Sequence, residues 1–89
     1  MSNAWFRMYS EFAYDPKVQS LSEVLQRRYM MLLCFMCDGS IGKLSDEELS
    51  FAMRISDEEL VETKLILLKK KLIDENWIPI SWEKRQYIS

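Results

Sequence analysis

Apolar residues recur at helical spacing along two stretches of the chain and in shorter alternations along two others, and these patterns predict its elements. Between Ser45 and Ile73 the phrase Ser-Asp-Glu-Glu-Leu occurs twice, at 45–49 and 56–60. In each copy the serine hydroxyl can accept an unpaired backbone N–H and the glutamate three residues on can reach back, while the acids lie at the positive end of the helix dipole. Two helix starts so close together leave Arg54-Ile55 as the turn between a short helix and a longer one, a helix-turn-helix. In the longer helix, from about Asp57 to Lys71, Val61, Leu65, Leu68 and Leu72 recur at i, i+4, i+7 and i+11 and predict one buried stripe. Ile66 lies roughly 140° round from that stripe, on the face that carries Glu59, Glu62, Thr63 and Lys70, and is expected to be exposed or covered by a partner.

The flanking segments follow the same logic. Leu72-Ile73 and Trp77-Ile78-Pro79-Ile80 are apolar runs about the turn-forming Asp74-Glu75-Asn76, which predicts a small hairpin over Leu72 to Ile80 with Trp77 or Ile78 pairing back across it. Trp5 to Tyr9 alternates bulky residues with Arg7 and predicts a short strand, able to pair with that hairpin. Asp15-Pro16 supplies a cap and a first-turn proline for a short helix to about Gln19. A central helix starts at Ser20 or Ser22, with Ser20 and Glu23 at capping-box spacing, and runs to Cys37. Its run Met30 to Cys37 is apolar all round and predicts burial on several sides, with Gln26, Arg27 and Arg28 solvated upstream. Gly39 to Leu44 reads as a loop with room for a brief strand. The fold class expected is α+β, a winged helix-turn-helix with a helical core, a small β-hairpin wing and a short N-terminal strand.

A resemblance accompanies this reading. Leu49, Ala52, Ile55-Ser56, Leu65, Leu68 and Leu72-Ile73 resemble a signature of bacterial winged-helix domains. Trp5-Phe6-Arg7-Met8-Tyr9, Asp15-Pro16-Lys17-Val18 and Trp82-Glu83-Lys84-Arg85-Gln86 are similar to segments of the N-terminal domains of phage replication-organiser proteins and their DnaD-like primosomal relatives. Those domains open with a Trp-Phe-Arg-type stretch and close with a Trp-x-x-x-Gln phrase. The resemblance implies origin DNA and replisome proteins as partners. The sequence departs from the pattern at Arg54 and Lys71, where the family often has glycine; a left-handed residue there would cost about 1–2 kcal/mol.

Composition narrows the picture. The 89 residues, 48% hydrophobic with three Trp, four Tyr and four Phe, suffice for one domain with a core of its own. Residues 1–4 read as an expression scar and 5–89 as a single domain, the N-terminal part of a longer protein. A net charge of −2 and a pI near 5.1 have the wrong sign for a surface that grips phosphate throughout, so any DNA contact must come from a local patch. With no apolar run of membrane-spanning length and no secretory leader, a cytoplasmic protein is expected.

The motifs that could carry chemistry each have a plainer explanation. Cys34-Phe35-Met36-Cys37 is a Cys-x-x-Cys, yet the chain has no histidine and no third cysteine to complete a metal site. Its place in the last helical turn disfavours a thiolate, so reduced, metal-free, mostly inaccessible core cysteines are expected. The acids Asp46, Glu47, Glu48, Asp57, Glu58 and Glu59 are explained as capping and dipole-compensating residues. Gly39-Ser40-Ile41-Gly42-Lys43-Leu44 lacks the spacing and the hydroxyl of a phosphate-binding loop. No enzyme activity, metal or cofactor is therefore expected.

Two surfaces remain. Lys64, Lys69, Lys70, Lys71, Lys84 and Arg85 could form a basic patch for DNA, although lysines in a last helical turn also complement the dipole. Trp5, Phe6, Tyr9 and Ile66 could form a protein interface, although the plainer reading of the aromatics is that they pack the edge of the core. The start of the longer helix, which approaches base edges in helix-turn-helix docking, carries Asp57, Glu58, Glu59 and Glu62, and phosphates repel them. The function expected is a non-catalytic replisome-organiser domain acting by protein association, as a homodimer or docked on a replisome partner, with weak, mostly nonspecific DNA binding. The alternative is a sequence-specific winged-helix transcriptional regulator.

Overall fold

Three serine side chains start the three long helices. In the computed structural model, which describes residues 5–86, Ser22 caps α2 (Glu23–Cys37), Ser45 caps α3 (Asp46–Met53) and Ser56 caps α4 (Asp57–Lys69), each accepting the N–H three residues on. Before them come a 3₁₀ turn, Ser10–Tyr14, and the single-turn α1 (Pro16–Gln19), whose cap Asp15 accepts the Lys17 N–H at 2.9 Å. After them comes α5 (Trp82–Gln86). Residues 1–4, read as an expression scar, and 87–89, the end of the expected domain, lie outside the described residues. Ser20 does not cap the central helix; it ends α1, where its hydroxyl donates to the Lys17 carbonyl and accepts from Lys70 Nζ at 2.8 Å.

The long helices also end alike. At each C-terminus one residue turns left-handed, its N–H and the next residue's N–H returning to carbonyls of the last turn, the pattern of a Schellman motif. After α2 the left-handed residue is Gly39, with Ser40 N–H donating to the Phe35 carbonyl. After α3 it is Arg54, with Ile55 N–H to Ser50, and after α4 it is Lys71, with Leu72 N–H to Leu67. Both non-glycine residues have φ of 60°. These are the two positions where the resembled family often has glycine, and the chain makes the same turns with side chains present.

The winged-helix expectation is overturned. Among the described residues there is no β-strand and no sheet, and the fold is helical. The expected hairpin is a turn held by one antiparallel bridge, Ile73 to Pro79, flanked by Asp74 N–H to the Ile78 carbonyl and Ile80 N–H to the Leu72 carbonyl. Pro79 has no N–H to extend a ladder, Trp77 is left-handed at φ 69°, and Ser81, at φ 65°, turns the chain into α5. Asp74 closes the turn instead, its Oδ1 accepting from the N–H groups of Asn76 and Ile78. The loop 39–44 forms turns and no strand. The expected N-terminal strand over Trp5 to Tyr9 is also absent. That segment finds a side chain in place of a strand: Gln86 Oε1 accepts the Arg7 N–H at 2.8 Å and Gln86 Nε2 donates to the Arg7 carbonyl at 3.0 Å.

The core lies where α2 meets α3 and α4, a molecule 19 Å thick, or about two helix diameters. Leu32, Met53, Leu67 and Thr63 are its fully buried side chains, surrounded by Val18, Leu21, Leu25, Tyr29, Leu33, Leu49, Leu60, Leu72, Ile73 and Trp77. The central helix is not buried all round, since Val24 and Cys34 are exposed. Arg28, expected to be solvated, is 5% exposed. Its Nη1 donates to Thr63 Oγ1 at 2.9 Å and its Nη2 pairs with Glu59 Oε2 at 3.2 Å, fastening α2 to α4, while its buried Nε has no partner among the described residues.

Candidate protein-association surface

Helix α4 has two apolar stripes, and the one facing the core is not the one its spacing suggested. Leu60, Thr63 and Leu67 face inward, with Ile66 half-buried beside them. Val61 and Leu65 are 61% and 63% exposed. Thr63 decides the choice: its hydroxyl donates to the Glu59 carbonyl at 2.7 Å and accepts from Arg28, so the buried hydroxyl is itself matched and gives Arg28 its seat. Of the expected buried stripe Leu72 alone is buried, because it follows the left-handed Lys71 and returns to the core; Leu68 is half-buried.

The displaced stripe forms an outward surface. Val61, Leu65 and Leu68, with Leu60 beneath, border a shallow groove closed by Lys64, Trp77 and Asp46. Lys64 lies over the Trp77 ring, 5.2 Å from its centroid, which fixes that rim. The opposite rim is charged. At about 100° per residue, Glu58, Glu62 and Lys69 line the far side of the stripe, and all three are exposed. Large side chains clustered in water on one helix face mark an interaction surface more often than chance exposure does.

Of the six cations expected to meet DNA, Lys71 and Arg85 line one groove, and three have contacts within the fold. Lys64 is committed to Trp77, Lys70 to Ser20, and Arg85 lies 6.0 Å from the Tyr9 ring centroid. Lys69, Lys71 and Lys84 are exposed. The acids at the start of α4 are held in place: Ser50 donates to Asp57 at 2.7 Å, and Glu59 closes the capping box on the Ser56 N–H while pairing with Arg28. The Ser56 N–H, then its hydroxyl and then Arg28 hold the Glu59 carboxyl below its ordinary range, and the Ser45 N–H does the same to Glu48.

The residues expected to form an interface divide. Trp5 is 68% exposed. Phe6 packs on Trp82 with centroids 5.4 Å apart, and the Tyr9 hydroxyl donates to the Arg85 carbonyl at 2.7 Å, so both serve to hold the segment 5–9 on α5. Ile66, expected to be exposed or covered by a partner, is half-buried and packs against the core of its own chain. A second groove, lined by Phe6, Tyr9, Tyr29, Leu72, Trp82 and Arg85, lies beneath the N-terminal segment and encloses about 130 Å³. Burial pushes the Tyr29 phenol up, with Arg85 opposing and Asp15 adding to the shift.

Cys34 is exposed, against the expectation that both thiols are inaccessible; Cys37 is buried, and burial with Cys34 and Asp38 nearby raises its thiol above the ordinary value. Among the described residues no three His, Cys, Asp or Glu side chains gather as a metal site, and no helix is long and apolar enough to cross a membrane. No family model, curated protein or solved structure matches the chain.

Proposed function

We propose that this chain is a non-catalytic helical association domain whose working surface is the outward face of α4. The observation that carries this reading is the exposure of Val61 and Leu65, with the half-buried Leu68 beside them, on a helix whose buried contacts are made by Leu60, Thr63 and Leu67. Leaving such a stripe exposed forgoes roughly 25 cal/mol for each Å² that a partner could cover. DNA contacts are secondary and nonspecific, supplied by Lys69, Lys71 and Lys84. A sequence-specific regulator is disfavoured by the acids fixed at the start of α4. The replisome setting is proposed from the resemblance; the contact between its two terminal phrases, Phe6 on Trp82 and Arg7 on Gln86, supports reading them as one unit.

The test is photocross-linking in cells that make the full protein, with a photoreactive residue at position 65 or, as control, at Glu47. The reading expects protein adducts from position 65 and few from position 47. Adducts to DNA from position 65, or equal yields from both positions, would overturn it.

A further inference from the structure

We propose that the α4 face binds a second copy of this chain, the two α4 helices packing antiparallel about a twofold axis at Leu65. This deepens the reading of that face as an association surface and rests on it. Val61, Leu65 and Leu68 follow the four-then-three spacing of a helix-pairing seam. Turning the helix end for end about Leu65 brings Leu65 against its own copy and Val61 against Leu68 of the second copy, so every apolar knob on one helix meets one on the other.

The charges select this arrangement. A twofold axis perpendicular to the helix brings each flank of the seam against the same flank of the second copy. On the open flank lie Glu62, one turn before the centre, and Lys69, one turn after it, both exposed. The twofold therefore pairs Glu62 with Lys69 of the second copy, and Lys69 with its Glu62. A parallel pair would bring this flank against the opposite one, setting Glu62 near Asp57 and Lys69 near Lys64 of the second copy, and would make neither attraction. The helix dipoles also oppose favourably in the antiparallel arrangement. On the other flank, which the twofold also brings against itself, Lys64 lies over the Trp77 ring and Asp57 accepts from Ser50; the Trp77 ring takes up part of the Lys64 charge where the two copies of Lys64 approach. Thirteen residues of helix give a contact about 20 Å long, and a strip about one helix diameter wide along it covers roughly 200 Å², well short of the roughly 800 Å² per partner of a standard stable interface. The pair is accordingly reversible and concentration-dependent.

Sedimentation equilibrium of the wild type, Leu65→Glu, Glu62→Lys and Lys69→Glu tests this, with the last two also mixed. The wild type should grow heavier toward twice its mass with concentration, and Leu65→Glu should stay monomeric. Each charge variant alone sets like charges together at both ends of the seam and should weaken pairing about tenfold or more. The equimolar mixture restores both attractions and should regain wild-type association. All three positions are exposed, so unchanged melting curves separate lost pairing from lost folding. A wild type monomeric at every concentration, or a mixture no heavier than its components, overturns the proposal. Cross-linking at position 65 distinguishes the two levels: adducts to a different protein with a monomeric domain remove the homodimer and keep the association surface, and neither adducts nor dimers remove both.

Discussion

Arg28 and Glu59 show most clearly what single residues decide in this chain. Glu59 caps α4 with one oxygen and receives Arg28 with the other, and Arg28 is the reason Thr63 lies inside. Arg28→Ala should cost about 2–3 kcal/mol, chiefly through the lost packing of a buried side chain, because Glu59 at the other end of the pair is half-exposed and remains solvated; urea denaturation reads this, and Arg28→Met should cost less because it refills the space. Glu59 and Glu48 are held below the ordinary 4.5 by the Ser56 and Ser45 N–H groups. A folded pKa below the unfolded one stabilises fully above about 4.5 and loses that contribution as pH falls through the lowered value. Melting temperature should therefore drop from pH 7 to pH 3, and Glu59→Gln with Glu48→Gln should flatten that part of the profile. Lys71→Gly relieves about 1–2 kcal/mol of left-handed strain against about 0.5–1 kcal/mol of added chain freedom, so a gain of up to about 1.5 kcal/mol is expected by the same denaturation. The capping serines and the two turn positions were legible in sequence, because both are local. The inward arginine was not: nothing in the order of residues places Arg28 against Thr63, which lies 35 positions away.

At the scale of elements, the long helices came through with their starts, and their packing did not. Helix α4 offers Val61, Leu65, Leu68 on one side and Leu60, Ile66, Leu67 on another, and periodicity alone cannot rank two apolar stripes on one helix. The polar Thr63 then pointed the wrong way, because a threonine next to a buried guanidinium counts as interior. The hairpin failed for a related reason. Apolar runs about Asp74 to Asn76 have the composition of strands, but Pro79 and the left-handed Ser81 cut the second arm to one bridging residue. The aromatic segment 5–9, with strand-like alternation, is satisfied by the Gln86 amide and Trp82. Gln86→Ala and Trp82→Ala should both loosen it, seen as faster amide exchange and proteolysis around residues 5–9 with α2 to α4 still protected. Exchange that stays slow in both variants would count against this docking.

For the molecule as a whole, charge and apolar surface point to the same use. With a net charge of −2, Lys64, Lys70 and Arg85 engaged internally, and acids at the head of α4, the domain should bind duplex DNA weakly, with affinity falling steeply as salt rises. A fluorescence titration at low and physiological salt checks this, and tight binding to one sequence would favour the regulator. The surface that stands out is the α4 face, and its residues can be followed directly. Amide NMR spectra of the labelled domain, recorded from dilute to concentrated solution, should show shifts gathered at Val61, Glu62, Leu65, Leu68 and Lys69 and none around residues 5–9 or 82–86. Shifts confined to those terminal segments, or a spectrum that does not change with concentration, would contradict the account.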